Sequence, residues 1–564
     1  MITTQTLRQA GSALVLTMVM AGVALTMLAA ALSWSSTSTR LTYRSIQYTR
    51  SEAAAEAATD KVVSQISQDF LYDGEATVVN NLNTYRNTVP LPSDSAYWNT
   101  WLFNDASGNT GRTFVQRGAL TGLQSLPPYS NLLAYVSTYT VVSDAKDTAS
   151  PQDLTVGVLQ QIQLDTVPIF QFALFSSGNM EISCGQPFDI TGPVHSNGHL
   201  YVEPDSSLTF ESGVGAVLDV LFQRDPLDTR GAPAGAAFYV QADQPAFPVA
   251  FLTLPIGTTN TPEGVREIIE PPPTSGDDPA LSRLRYYNEC DLFVSVSDTG
   301  VTAKSGNSTH FPTPVPPADL ATFITTTNNS FTDAREGKLV QPIDLDVSNL
   351  VTWNQANGNH VASVYVLDQR NLPGTDLGAV RVVNGATLPQ NGLTVATALP
   401  LYVLGDFNSD SANRGTTNTI FTRPASLAAD AITILSDNWQ DTNSSISLTN
   451  RIAAATTVNA AFLTGVVDTT LGQYSGGMEN FPRFLEIWTG IPFTYNGSMI
   501  KMFPSLYATN AWNNNNNIYK PPVRHWAFDP NFRDPTKLPP LTPKLLKVTR
   551  HQWATLPPGQ TVAP

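Results

Sequence analysis

Hydrophobic and polar positions divide this chain sharply at its start. A polar leader, residues 1–11, carries Arg8. No charged residue then occurs over 12–39, and 12–34 is largely apolar. A stretch that long and apolar can cross a bilayer core of about 30 Å. Ala, Leu and Met dominate it, so it predicts a helix. The helical pattern continues through a polar stretch to residue 71. There Ala55, Ala58, Val62, Ile66 and Phe70 recur at three- and four-residue spacing, one apolar stripe on an amphipathic helix. Asp73 and Gly74 supply the stop. The stripe can pack on the protein's own globular part or on neighbouring subunits; period alone does not choose.

Beyond the helix the period changes to that of strands. Residues 135–142 and 154–164 alternate and are β-branched or aromatic, with Tyr97, Trp98 and Trp101 as local core. Short strands then follow one another at 172–175, 180–182, 188–190, 199–202 and 207–210. Turn signals such as Ser177-Gly178-Asn179 and Ser196-Asn197-Gly198 separate them. This suits a parallel β-helix or other β-solenoid. A sandwich of hairpins is the competing reading, with Asn197-Gly198 as a hairpin turn. An interruption at 222–390 contains the linker Pro271-Pro272-Pro273, a strand over 286–296 and a helix over 317–323; residues 350–353 and 361–367 add a helix or strand each. The solenoid pattern resumes with strands at 393–396, 401–404, 431–435 and 458–463. The C-terminal part predicts a short helix over 479–488, a hairpin at 494–500, a polar loop at 513–517 and an extended proline-rich tail over 535–564. The expected architecture is mainly β with a long N-terminal α-helix, a β-solenoid interrupted by an inserted α+β unit. Its divisions are leader 1–11, helix 12–71, mixed region 72–168, solenoid 169–221, insertion 222–390, solenoid 391–470 and C-terminal region 471–564.

The apolar run fits three roles. A secretory signal has an apolar core of roughly 7–15 residues and a small-residue cleavage site. Ala29-Ala30-Ala31 mimics such a site, but the run is longer. A plain anchor does not explain helix continuing beyond the membrane. Arg8 precedes the span while Arg40, Arg44 and Arg50 follow it, so the positive-inside rule gives no clear orientation. The segment Arg8-Gln9-Ala10-Gly11-Ser12-Ala13-Leu14-Val15-Leu16 resembles the N-terminus of type IV pilin-like proteins, most closely the PilX-type minor pilins. Arg50-Ser51-Glu52-Ala53-Ala54-Ala55-Glu56-Ala57-Ala58 is similar to that family's second half-helix. The resemblance implies cleavage between Gly11 and Ser12 by a prepilin peptidase. It also implies other pilin-like subunits, the pilus assembly machinery and the inner membrane as partners, with the main domain exported to the periplasm or cell surface. Leu16 stands at the fifth mature position, where major pilins carry Glu, which points to a minor or tip subunit. Gly192-Pro193-Val194-His195-Ser196-Asn197-Gly198, Tyr474-Ser475-Gly476-Gly477-Met478-Glu479-Asn480-Phe481 and Trp526-Ala527-Phe528-Asp529 also resemble a domain attached to PilX-type N-termini. That likeness implies architecture and no activity.

At 564 residues the chain is long enough for several domains. Charged residues are only 14%, and the net charge of −15 argues against general nucleic-acid binding. Cys184 and Cys290 form a disulfide candidate in an exported chain; buried free thiols are the alternative.

The chemistry-bearing motifs are sparse. Asp406-Phe407-Asn408-Ser409-Asp410 has calcium-loop spacing, but Ser411 and Thr417 occupy the positions where such a loop needs Gly and Glu. An Asx-rich turn is expected. Glu181, Asp189, His195 and His199 lie on or near one candidate solenoid face; no third metal ligand accompanies the histidines. Glu479, Arg483 and Glu486 are spaced for a salt-bridged helix face. Ser475-Gly476-Gly477 lacks the His and Asp context of a serine protease. Phosphate loops, dinucleotide fingerprints and metalloprotease motifs are missing, so neither catalysis nor a cofactor or metal is expected. The sequence thus predicts a structural minor subunit. Surface glycans are a further candidate partner, and an envelope-anchored polysaccharide-binding protein or β-solenoid hydrolase or lyase is the alternative.

Overall fold

The computed structural model describes residues 10–557 and 560, except 120, 130–131, 232–234, 236, 240–244, 306–313, 410, 511 and 513–516. The protein is mainly β with one long N-terminal helix. That helix, α1, runs unbroken through Ala10–Asp73, about 96 Å at the usual rise per residue. Gly74, at φ 80, ends it and lets a short second helix, Glu75–Asn80, begin at once.

Alternating strands Leu133–Asp147 and Thr155–Pro168 form the centre of an antiparallel sheet. Trp101–Asn104, Phe114–Arg117 and Thr121–Ser125 all pair with the first of them. The opposite edge is Lys544–Leu556, from the far end of the chain. The tail expected to be merely extended is therefore a sheet strand over Lys544–Leu556, which joins strands drawn from residues 101–168 in one layer.

The remaining sheets are open and mostly parallel. Leu174–Ser176, Val194–Ser196 and Val214–Ala216 stack in register; so do Met180–Ile182, Leu200–Val202 and Val220–Leu221. Each step advances the chain by twenty residues: Leu174, Val194 and Val214 are partners, as are Met180, Leu200 and Val220. This repeat is visible in the sequence once sought, as Leu-Phe-Ser-Ser-Gly-Asn-Met against Val-His-Ser-Asn-Gly-His-Leu. Ser176 and Ser196 hold equivalent corners by donating to the carbonyls of Asn179 and His199, at 2.9 and 3.0 Å. The Gly198 corner stacks directly on Gly178, and a Cβ there would lie 2.3 Å from Asn179 Oδ1. Asn197-Gly198 thus turns a corner between parallel strands instead of closing a hairpin.

From residue 338 onward the chain alternates between two sheets. Lys338–Asp346, Leu377–Val383, Leu401–Leu404, Ile432–Leu435 and Arg483–Phe484 build one. Ser363–Asp368, Leu393–Ala396, Ala425–Ala429, Thr456–Gly465 and Pro492–Phe503 build the other. Pro492–Phe503 then pairs with Leu174–Ser176, so the later strands join the earlier stack end to end. The segment 222–390, expected as an insertion, supplies strands to these same two sheets. Inside, Asn408 and Asn459 each donate an amide to the other's backbone carbonyl at 2.8 Å. Asn496 donates to Asn459 Oδ1 at 2.7 Å.

Three local expectations change with tertiary pairing. Residues 286–296 divide into a helical turn, Tyr286–Glu289, and a strand, Leu292–Ser297. Residues 494–500 lie within one long strand rather than a hairpin. Residues 479–488 are not a helix: Met478–Asn480 is a single 3₁₀ turn, and Arg483–Phe484 is a strand capping the second sheet. The helix over Pro317–Phe323 is present. Most of the loop expected at 513–517 lies outside the described residues.

Candidate functional site: the N-terminal helix and its sheet

Two halves of α1 meet opposite environments. From Leu14 to Trp34, twelve large apolar side chains are each 48% or more exposed. No charged residue interrupts 12–39, and this apolar part of the helix is uncovered among the described residues. Water-exposed apolar surface on this scale marks a membrane or protein contact. Gly11 and Ser12 lie in the first turn of α1, and Ser12 is exposed. Leu16 projects into the same uncovered region at 61% exposure.

The second half is docked. Ala54, Ala55 and Ala58 are buried beside Trp101, Phe103, Ala145 and Val158. Val62, Val63, Ile66 and Phe70 are at most 3% exposed and pack with Val78, Tyr139, Val141, Ile162 and Leu164. The apolar stripe therefore rests on the protein's own antiparallel sheet. Polar fasteners border the contact: Gln160 donates to Thr59 Oγ1 and Asp60 Oδ1 at 3.0 and 2.9 Å, and Lys61 reaches Asp94 at 2.5 Å. Asp69 accepts from Asn81 at 2.8 Å and from the Tyr85 hydroxyl. Such bonds orient the helix, since each contributes only about 1 kcal/mol net.

The chemistry candidates are dispersed. His195 is buried, stacked on Phe175, with Tyr129 Oη 2.5 Å from Nδ1 and Asn197 Oδ1 2.9 Å from Nε2. Asn197 Oδ1 can only accept, so Nε2 donates and Nδ1 accepts from tyrosine. Burial lowers the imidazole to about 4, so this neutral ring pins the sheet-side loop at Tyr129 to the stack. His199 instead lies 3.4 Å from Asp219, and Asp189 is exposed. Among the described residues no group of three or more His, Cys, Asp or Glu could hold a metal ion.

Glu479, Arg483 and Glu486 serve three separate buried sites, because the helix expected to align them is absent. Glu479 accepts from Tyr474 Oη at 2.6 Å, Arg483 pairs with Glu336, and Glu486 accepts from Ser436 N and Oγ at 2.7 Å. Burial raises both glutamates to about 7. The Asp406 carboxylate accepts from Thr457 N at 2.7 Å and pairs with Arg414 at 2.6 Å, while Asn408 bridges strands at φ 53. Those bonds make this run a structural turn. Cys184 and Cys290 are buried free thiols with different neighbours, not a disulfide: Cys184 Sγ faces Ser207 O and Cys290 Sγ faces Tyr287 O.

Sequence inspection overlooked one cleft, of about 250 Å³, between Met180–Glu181 and the loops near Asp225, Asp468 and Ser475. Glu181 Oε2 there accepts from Thr469 and Ser475 hydroxyls at 2.7 and 2.9 Å. Its members come from four separate segments, around Glu181, Asp225, 466–478 and Lys501, so no local motif announces them. No protein-family model matches the chain, and no curated protein or solved structure does either.

Proposed function

We propose that this chain is a pilin-like minor subunit, placed at or near the tip of a type IV pilus or related secretion filament. Its β-rich part would act in assembly priming or adhesion. The observation that carries this reading is the division of α1 into an uncovered, uncharged half and a half docked on an antiparallel sheet. Such a helix presents a bilayer-spanning or helix-packing surface while holding the globular part at a defined distance. The uncovered half would sit in the inner membrane before assembly and against other pilin-like subunits afterwards, with the β-rich part exported. Prepilin peptidase would cut between Gly11 and Ser12, leaving Ser12 as the mature N-terminus. Leu16 lacks the carboxylate of major pilins, which favours a minor place in the filament. The twenty-residue register, parallel pairing and Asn408–Asn459–Asn496 bonds support reading the stacked strands as a β-solenoid. Mass spectrometry of the chain from its native membrane tests the proposal. A mature protein beginning at Ser12 is expected; an intact Met1, or a start near residue 32, overturns it.

A second reading, an envelope-anchored polysaccharide-binding protein or hydrolase, is favoured by the Glu181 cleft, where Asp225 and Asp468 provide further carboxyls. A glycosidase needs two carboxyls roughly 5–10 Å apart. Polysaccharide cleavage that is lost in a folded Glu181→Gln variant would establish the hydrolytic form.

A further inference from the structure

A cavity of about 600 Å³ lies between the helix-bearing sheet and the loop segments around Pro255, Leu284 and Leu541. One wall comes from Gly74, Glu75, Thr166 and the start of Leu133–Asp147; the other comes from Pro255, Leu284, Leu541 and Pro543. The walls are mainly apolar, and the volume is that of a pocket for a small organic ligand. Its charged groups differ in one respect. Glu75 is held by Arg117 at 2.6 Å and Tyr139 at 3.2 Å, Arg283 pairs with Asp73, and Glu289 is engaged within the protein. Lys544 is exposed at the rim and has no ion-pair partner among the described residues.

A second observation marks the same wall. Leu541 has φ 58, whereas the other non-glycine residues with positive φ among the described residues are all asparagine. A bulky residue there is a strained outlier, of the kind that persists where surrounding structure holds it in place and that clusters at ligand sites. The strain presents Leu541 to the cavity three residues before Lys544.

From these features we infer that the cavity binds an amphipathic monocarboxylate, its aliphatic body among Leu284, Leu541 and Leu546 and its carboxylate on Lys544. Because both walls contribute, the bound molecule would bridge the helix-bearing sheet and those loop segments. This goes beyond the filament reading and stands independently of it.

Decanoate is the probe, with decanol as its uncharged counterpart. Isothermal titration on the full chain held in amphipol would compare wild type with Lys544→Gln and Leu284→Trp. Partition into the amphipol is common to all three and cancels. Wild type is expected to take up one decanoate per chain. Lys544→Gln should weaken decanoate at least tenfold while leaving decanol within twofold. Leu284→Trp should abolish both, with its melting transition confirming the fold. Equal decanoate binding by wild type and Lys544→Gln overturns the proposal, as does the absence of any saturable uptake by wild type. A Leu284→Trp chain that fails to fold leaves the lysine comparison to decide.

Discussion

Glu479 lies wholly inside the protein, yet it is a carboxylic acid whose proton affinity burial has raised to about 7 from an ordinary 4.5. The folded state therefore holds a proton that the unfolded chain releases between roughly pH 4.5 and 7. Its stabilising effect is complete below that window and is lost as pH rises through it. A Glu479→Gln variant keeps an acceptor for Tyr474 and cannot ionise. Urea unfolding of both proteins from pH 5 to pH 8 should show wild type losing about 2–3 kcal/mol relative to the variant. Parallel curves would show that the carboxyl is not buried as described. Tyr129 permits a second test. Removing its hydroxyl leaves His195 Nδ1 buried without a donor, so Tyr129→Phe should cost about 1–3 kcal/mol in the same measurement. The aromatic packing around Phe172 remains in that variant.

At the scale of the element, α1 combines two physical problems in one helix. Its docked half is stabilised by burial, so Phe70→Ala should destabilise the protein by about 3–5 kcal/mol. Leu25→Ala, in the uncovered half, should leave the denaturation midpoint of the globular part unchanged. Equal effects would mean that the first half also packs on the protein. The turn at Gly198 gives a further prediction. A side chain there collides with Asn179 on the adjacent level, so Gly198→Val should lower the melting temperature by several degrees, consistent with a loss of about 1–3 kcal/mol.

For the whole molecule, the uncovered apolar surface decides behaviour in solution. Removing residues 1–39 deletes the uncharged stretch, and none of the described residues among them is docked on the sheet. That protein should run as a detergent-free monomer on size exclusion, while the full chain should require detergent. Aggregation of the shortened protein would reveal another apolar surface on the β-rich part. Much of this division was legible beforehand. An uncharged run over 12–39 and a periodic stripe ending at Phe70 are local patterns, and solvent chemistry and helix geometry interpret them without knowledge of the rest of the fold. The short strands from 172 to 210 were legible for the same reason. Their partners were not, because parallel pairing joins residues twenty or more apart and leaves no mark at a turn such as Asn197-Gly198. Glu479, Arg483 and Glu486 show the cost of trusting spacing alone: helical periodicity placed them together, and capping of a sheet by Arg483–Phe484 sent them to three buried sites. Hydrophobic pattern alone thus established the long helix, its uncharged first half and striped second half, and the β-rich remainder, since these follow from the order of residues along the chain. That the stripe rests on the protein's own sheet was decided by tertiary structure. Tertiary structure decided strand partners, the return of Lys544–Leu556 to the first sheet, the cavity beside Leu541 and the separation of the two thiols, because each depends on segments that meet only after folding.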